Sequence, residues 1–293
     1  MRGHSLGHWR VGHFSLLANT ECVGIVAQNT RHTKFRRDYP AILREIRASL
    51  RRTMSVTSLA GSIRLFVPDA LEAGAAIRLN PGQAHYLGTV MRRSAGEMLR
   101  VFNGQDGEWA ARLEEIRRDR AQIGVLEQTR VQVPEPDLWL AFAPLKRDAT
   151  DMLVQKATEL GVAMLLPVLT ERTNTARLNL DRLTAIAIEA AEQCERLTVP
   201  ILRAPVRLDR LLADWPPARP LFVGWERSEA PLLGPCPGPA GLLIGPEGGL
   251  SRIDQAMLLG CPAMRKNSLG PRILRAETAA IVGLTLLQAP GSG

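Results

Sequence analysis

The sequence lacks any apolar run that is long enough to cross a membrane. Its longest apolar stretch, Ala279 to Leu287, is interrupted by a Gly and a Thr, and it is much shorter than the ~18 residues expected of a spanning helix. Residues 1–53 also lack the apolar core of a secretory signal. We therefore expect neither a membrane span nor a membrane partner.

Cysteine and histidine are scarce and unclustered. Cys22, Cys194, Cys236 and Cys261 stand far apart without CxxC spacing, and His85 is the only histidine beyond residue 53. Because zinc sites need closely spaced Cys and His ligands, we expect no metal. Inert, unpaired thiols indicate a reduced, cytoplasmic protein.

Excess charge is also missing from most of the chain, although the formal net charge is +8. Residues 1–53 hold ten Lys or Arg against three Asp or Glu, whereas the other 240 residues hold 27 basic and 26 acidic side chains. Bulk charge therefore does not indicate a nucleic-acid partner, and any basic footprint has to be a local patch.

The first 53 residues form a basic leader. We expect it to be disordered or not translated, with initiation near Met54 as one explanation. A transit-like or surface-binding helix is the alternative, because "PAILREIRASLRR" places Ile42, Ile46 and Leu50 on one helical face.

The segment 62–133 has the pattern of a small β-barrel with one helix. "IRLFV", "EMLRVFN" and "AQIGVLEQTRVQV" are typical of strands, "NGQDGEW" is typical of a turn, and a short helix is predicted over about 82–91.

After "PEPD" at 134–137, strands and helices alternate as far as residue 290. Helices are predicted over 150–160, 181–196, 252–259 and from about Ala276 to Gln288. Such alternation indicates an α/β domain with a parallel sheet that is covered on both faces.

A glycine-rich loop, "GPEGG" at 245–249, follows the apolar strand "GLLIG". Ser251 and Asp254 can form a capping box that begins the next helix, and Gly260 can end it. The loop therefore lies at the carboxyl end of a parallel strand, where open α/β sheets bind ligands. Its spacing matches neither GxGxxG nor GxxxxGK[ST]; a purely structural turn is the alternative.

A second unusual segment, "SLGPRILRAETA" at 268–279, precedes a helix that is apolar nearly all round. That helix must be buried in the core or against another subunit. Arg272, Arg275 and Glu277 lie at or before its first turn, where charges need partners or a ligand. An arginine–glutamate pair that only caps the helix is the alternative.

Together, "LLIGPEGGLS" and "SLGPRILRAETAA" resemble the signature of the bacterial 16S ribosomal RNA uracil-N3 methyltransferases, in the SPOUT class. "PLKRDATDMLVQKATELGV", "PVLTERT", "EAAEQCERLTVP" and the front strands agree with that family, so the resemblance runs from about Ile63 to Gln288. Glu195 and "RKN" at 265–267 depart from the family pattern, and residues 1–53 have no counterpart in it.

The resemblance implies a PUA-like β-barrel domain over 62–133, a trefoil-knotted SPOUT methyltransferase domain over 137–290, and a homodimer. It also implies S-adenosylmethionine as cofactor and 16S rRNA or the small ribosomal subunit as partner. The implied cofactor residues are Ile244, Gly245, Glu247, Gly248, Gly249, Ser268, Leu269, Gly270, Ile273 and Leu274.

Arg275 and Glu277 are the candidate catalytic residues. Removal of the uracil N3 proton develops negative charge on O2 or O4, which an adjacent cation such as Arg275 stabilises. Glu277 accepts the proton or, as we favour, orients Arg275. The candidate RNA contacts are Arg64, His85, Arg92 and Arg93. Two alternatives stay open: a SPOUT methyltransferase with another RNA target, and a catalytically dead RNA-binding module.

Overall fold

A computed structural model of the chain describes Leu59 and residues 62–174, 177–225 and 229–290. The expectations for the leader, residues 1–53, lie outside these residues. The described strands form two main sheets, one on each side of the segment near residue 134.

The first sheet has five strands in the order β1-β3-β4-β5-β2, in which β1 and β3 run parallel and the other neighbours are antiparallel. Its strands are β1 (Arg64–Phe66), β2 (Ala76–Leu79), β3 (Met98–Phe102), β4 (Glu108–Ile116) and β5 (Ala121–Arg130). Alternate apolar side chains, including Ile77, Leu99 and Ile123, fill one buried core. The three predicted strand segments are confirmed as β1, β3 and β5, whereas β2 and β4 were not predicted.

A short helix, α1 (Pro81–His85), packs against the first sheet. Asn80 begins it with a capping box, and the side chain of Gln83 donates a hydrogen bond from Nε2 to the Phe66 carbonyl oxygen (2.8 Å). The chain continues as a single π turn over Tyr86–Val90, closed by a hydrogen bond from Met91 N to the Tyr86 carbonyl oxygen (2.9 Å). The helix predicted over about 82–91 is confirmed, with this wider turn as its second half.

The second sheet is parallel, with the order β12-β10-β11-β6-β7-β8, and the short β9 pairs with β7. Its strands are β6 (Leu138–Phe142), β7 (Met164–Leu169), β8 (Ile201–Leu202), β9 (Val206–Arg207), β10 (Leu221–Gly224), β11 (Ala240–Ile244) and β12 (Met264–Asn267). The helices are α2 (Arg147–Glu159), α3 (Leu180–Gln193), α4 (Leu208–Ala213), α5 (Arg252–Leu259) and α6 (Ala276–Gln288).

Both faces of the second sheet are covered, as its continuous apolar strands predict. Along β11, Leu242 and Ile244 pack with residues of α2, α3 and α6, whereas Leu243 packs on the opposite face with residues of α4 and α5. Period-two alternation therefore divides one strand between two cores. The α/β class and the helices α2, α3, α5 and α6 are confirmed; α4 and the strands β8, β9 and β12 were not predicted.

The last helix, α6, packs very closely on the sheet. A Cβ built on Gly283 would lie 2.6 Å from Leu242 Cδ2, so a larger residue here would require the Leu242 side chain to shift. Ala276, Ala280, Leu284 and Leu287 are buried on the same helix, which confirms that its apolar face belongs to the core. Within the described residues, no helix is both long and apolar enough to cross a membrane.

Candidate active site

Three neighbouring parallel strands, β10, β11 and β12, end at the same edge of the second sheet. The loops that follow them, together with the starts of α2 and α6, enclose a cleft of about 1760 Å³. The two segments singled out in the sequence, 245–249 and 268–275, therefore meet at one site. Such an edge is where open parallel sheets bind their ligands.

All of the residues expected to bind cofactor or to act in catalysis line this cleft. They are Ile244, Gly245, Glu247, Gly248, Gly249, Ser268, Leu269, Gly270, Ile273, Leu274, Arg275 and Glu277. The four residues expected to contact RNA do not line it.

The loop 245–250 is a tight turn with a left-handed glycine. Gly249 has a φ of +69°, and its amide donates to the Pro246 carbonyl oxygen (2.8 Å). A Cβ on Gly249 would meet no protein atom within 4 Å, so the backbone angle, rather than crowding by the protein, favours glycine here. The turn thus presents bare backbone to open space in the cleft.

Two contacts from the end of β7 hold this turn. Arg172 donates a hydrogen bond from Nη1 to the Gly248 carbonyl oxygen (2.8 Å). The amide of Glu171 donates to Oδ1 of Asp254 (3.3 Å), whose carboxylate also accepts from the Ser251 amide (3.0 Å) in the predicted capping box. The buried carboxylate of Asp254 therefore links the two loops by hydrogen bonds.

The second cleft loop, 268–275, is held by main-chain bonds and a glycine. Ser268 exchanges hydrogen bonds with the segment that follows β10: its amide donates to the Pro231 carbonyl oxygen and its carbonyl oxygen accepts from the Leu233 amide (both 2.9 Å). Gly270 has a φ of +118°, a backbone conformation that L side chains rarely adopt. The loop conformation thus depends on glycine at this point.

Gly224, at the end of β10, allows the cleft floor to close. A Cβ there would lie 3.0 Å from Leu269 Cδ1 and 3.2 Å from Ile244 Cδ1. Because both side chains line the cleft, glycine at this position lets the apolar floor form a continuous surface.

Arg275 is the N-cap residue of α6, and its side chain is exposed. Its guanidinium makes no hydrogen bond or ion pair with any residue that the structure describes. Glu277 lies in the first turn of the same helix and lines the cleft, but it forms no ion pair with Arg275 in the described chain. The structure thus does not support the expectation that Glu277 orients Arg275, whose guanidinium lines the cleft without a partner among the described residues.

Lys146, Arg172 and Gly224 are among the cleft residues that the sequence did not predict. Each stands at or just beyond the carboxyl end of a parallel strand, which is the signal that could have identified them. Lys146 follows β6, in "PLKRD", and Arg172 follows β7, in "PVLTERT". Among the described residues, no group of three or more His, Cys, Asp or Glu is arranged to bind a metal ion.

Arg64 is buried, so the prediction that its side chain contacts RNA is wrong. Its Nε donates to Glu108 Oε2 (2.6 Å), and its remaining nitrogens donate to carbonyl oxygens at and just beyond the end of α3, including those of Ala191 (2.8 Å) and Arg196 (2.9 Å). The guanidinium also lies over the Phe102 ring. Burial lowers the pKa of Arg64, opposed by the bond to Glu108. Its donors are used inside the protein.

The other three expected RNA contacts lie around the π turn of the first sheet. His85 and Arg92 are exposed. Arg93 is half-buried and donates to Glu97 Oε2 (2.9 Å). These residues form a surface of their own, separate from the lining of the cleft.

Two protein-family models match the chain. The model described as an RNA methyltransferase domain matches residues 133–288, and the model described as an RNA methyltransferase PUA domain matches residues 79–126. The ribosomal RNA small subunit methyltransferase E of Rickettsia conorii is 31% identical over 234 residues, which cover 78% of this chain and 96% of that protein. The protein of the same description from Bacillus subtilis is 30% identical over 223 residues, covering 70% and 86%.

Two similar solved structures carry a bound ligand. A methyltransferase from Legionella pneumophila in complex with the cofactor SAM has a TM-score of 0.69 at 32% identity and covers 76% of this chain and 96% of its own. A ribosomal RNA small subunit methyltransferase E from Neisseria gonorrhoeae, bound to S-adenosyl methionine, has a TM-score of 0.70 at 28% identity and covers 76% and 95%.

Proposed function

The chain belongs to the RNA methyltransferase family, and from that premise we propose that it transfers a methyl group from S-adenosylmethionine to N3 of a uridine in 16S ribosomal RNA. The observation that carries this proposal is that loops 245–249 and 268–275 meet around one cleft, which Arg275 also lines without a partner in the described part of the chain. The descriptions of the relatives support small-subunit ribosomal RNA as the substrate.

The cleft residues fit the proposed cofactor. Gly249 and Gly270 both face space in which a Cβ would meet no protein atom within 4 Å, so the two loops offer bare backbone to a ligand. The apolar side chains of Leu269 and Leu274 suit an adenine ring. When bound, S-adenosylmethionine supplies a methyl group that is attached to a positively charged sulfur. Transfer of the methyl group leaves that sulfur as a neutral thioether.

Arg275 is the proposed catalytic residue. The N3 lone pair of neutral uracil is delocalised into two carbonyl groups, so N3 attacks well only after its proton leaves. The negative charge that then develops on O2 or O4 is stabilised by a nearby guanidinium, as in an oxyanion hole. Arg275 is suited to this role because no other described residue occupies its donors.

The proton acceptor is proposed to be one of the carboxylates that line the cleft, with Glu277 as the first candidate because it lies two residues from Arg275. Cations also surround the opening, namely Lys146, Arg147, Arg172 and Arg272. These side chains are placed to contact RNA phosphates around the target uridine.

We propose further that the protein is a cytoplasmic homodimer. Its first domain, residues 62–133, binds RNA, and its second domain, residues 137–290, is knotted. Exposed apolar side chains on α5, Ile253 (59% exposed) and Leu259 (64% exposed), support burial against a second copy. Cys194, Cys236 and Cys261 are free thiols, as suits a reducing compartment.

The proposed function is tested by transfer of radiolabelled methyl from S-adenosylmethionine to small-subunit ribosomal RNA. Arg275→Ala is expected to lower the transfer rate by roughly 10²- to 10³-fold, as loss of an oxyanion donor does, with unchanged cofactor binding in calorimetry. Arg203→Ala, at an exposed position away from the cleft, is the control. Near wild-type rates would remove Arg275 from the mechanism, and a wild-type chain that binds no cofactor would favour an RNA-binding module.

A further inference from the structure

The π turn of the first sheet exposes a group of apolar side chains, Tyr86, Val90 and Met91, called the patch below. Tyr86, Val90 and Met91 are 39%, 59% and 36% exposed. The hydrogen bond from Met91 N to the Tyr86 carbonyl oxygen spans five residues, so one wide turn places Tyr86 beside Val90 and Met91 on the same face. Exposed apolar patches of this kind mark interaction sites, and π turns occur frequently at functional sites.

The sequence that flanks this patch is positively charged. Residues 73–96 contain no Asp or Glu, but they contain Arg78, His85, Arg92 and Arg93. The bond from Arg93 to Glu97 leaves Arg92 as an exposed cation that forms no ion pair with the described residues. Arg92 also has a φ of +52°, which is uncommon for a residue with a side chain.

The turn between β4 and β5 adds further cations next to the patch. Gly88 of the π turn lies against Ile116, since a Cβ on Gly88 would be 3.3 Å from Ile116 Cδ1. Ile116 ends β4, and the turn that follows it reads "RRDR" at 117–120. Arg117 is bonded to Glu115 (2.7 Å), whereas Arg118 is exposed and pairs with no described residue.

We propose that this tip surface, made of Tyr86, Val90, Met91, Arg92 and Arg118, binds an unpaired segment of the RNA substrate. A base stacks on Tyr86, and the flanking phosphates contact Arg92 and Arg118. The inference rests on the proposed function only in taking RNA as the substrate.

An exposed aromatic ring among apolar side chains, with free cations at its edge, matches the chemistry of single strands. Unpaired bases offer their π faces for stacking, and the phosphates on either side require cations. A duplex hides those faces, so it would use the arginines but not Tyr86. We therefore expect the surface to distinguish single strands from duplexes through Tyr86.

The test is fluorescence anisotropy with a labelled single-stranded RNA 12-mer that contains uridines and with the same strand in a duplex. Tyr86→Ala is expected to weaken single-strand binding about tenfold or more, Tyr86→Phe to retain it, and duplex binding to change little. Val131→Ala, at an exposed apolar position elsewhere, is the control. Arg92→Ala combined with Arg118→Ala should reduce the salt slope of log K by about 1.4, because each phosphate contact on a single strand contributes about 0.7.

Equal single-strand binding by Tyr86→Ala and wild type would overturn the proposal, and so would an equal loss with single strand and duplex. If Tyr86→Ala binds both RNAs as the wild type does but loses binding to another protein, the surface is a protein-binding site and the proposal is overturned. Methyl transfer and cofactor titration on the wild-type chain are read separately. Failure of transfer with a Tyr86-dependent affinity for single strands rejects the proposed function alone, whereas normal transfer with no Tyr86 effect rejects this inference alone.

Discussion

Arg172 reaches from the end of β7 and donates a hydrogen bond to the Gly248 carbonyl oxygen, at 2.8 Å. A side chain on one strand end thereby holds the backbone of the loop at another strand end. The carboxylate of Asp254 makes a second link between the same two loops through Glu171 N. The conformation of the glycine turn is thus set by its neighbour as well as by its own residues.

Arg172→Ala is expected to weaken S-adenosylmethionine binding about fivefold. The bond to Gly248 is worth about 1 kcal/mol net, and the turn loses this support when the bond is removed. Isothermal titration calorimetry measures the effect, with Arg172→Lys partly restoring affinity and Arg203→Ala as the control. Wild-type affinity in Arg172→Ala would show that the turn needs no support from β7.

Gly248 and Gly249 form a matched pair that separates backbone strain from ligand contact. Gly249→Ala places a side chain at a φ of +69° and is expected to cost about 1–2 kcal/mol of stability, which lowers the melting temperature by several degrees. In Gly248→Ala the new Cβ meets only Arg172, at 3.7 Å or more, so stability should hardly change.

Cofactor affinity is expected to fall in both glycine variants, because either Cβ intrudes on the proposed ligand surface. Thermal melting and calorimetry on the same two proteins give the two readouts. If Gly248→Ala binds the cofactor as well as wild type, that residue lies away from the ligand.

Local sequence signals predicted the glycine turn and its helix well. Ser251, Asp254 and Gly260 act as the predicted cap residues of α5, and α6 spans the predicted residues. The family resemblance is confirmed by the matching models and relatives. These features were readable because each depends on neighbours only a few residues away, or on a motif that stays together in sequence.

The errors came from contacts that are distant in sequence. Arg64 looked like a surface arginine, but its partners lie 44 to 132 residues away, at Glu108 and at and just beyond the end of α3. β12, "MRKN", was not predicted because the charged Arg265 and Lys266 are untypical of a strand in a parallel sheet. This strand pairs on one side with β10. Arg172 was overlooked because its role appears only when β7 and β11 lie in one sheet.

Arg64→Ala is expected to destabilise the protein by about 3–5 kcal/mol, since it leaves the Glu108 carboxylate buried without its closest partner. Denaturant unfolding measures this loss. Arg78→Ala, at an exposed position on β2, is the control and should change stability by less than about 0.5 kcal/mol. Unchanged stability together with weaker RNA binding would return Arg64 to the RNA surface.

Glu192→Gln is expected to stabilise the protein in a pH-dependent way. Burial raises the pKa of Glu192, and the negative charge of Glu189 raises it further. The hydrogen bond from Phe66 N and the nearby charge of Arg64 lower this pKa but do not cancel the rise. The folded state therefore binds this proton more tightly than the unfolded state, and stability falls as pH rises from the ordinary carboxyl pKa through the raised one.

Glutamine keeps an acceptor for Phe66 N and carries no charge. Its advantage in melting temperature should be largest near pH 8 and should shrink as the pH falls to about 3, where the glutamate is protonated in both states. A difference in melting temperature that stays constant across this pH range would contradict the assignment.

The most direct measurement of the proposed function is the identity of the methylated nucleoside. 16S ribosomal RNA from cells that lack the gene is incubated with the purified chain and S-adenosylmethionine, digested to nucleosides and resolved by liquid chromatography with mass spectrometry. The account predicts 3-methyluridine, absent before incubation and absent with Arg275→Ala. A methyl group on the ribose or on uracil C5, or one found only in large-subunit RNA, would contradict it.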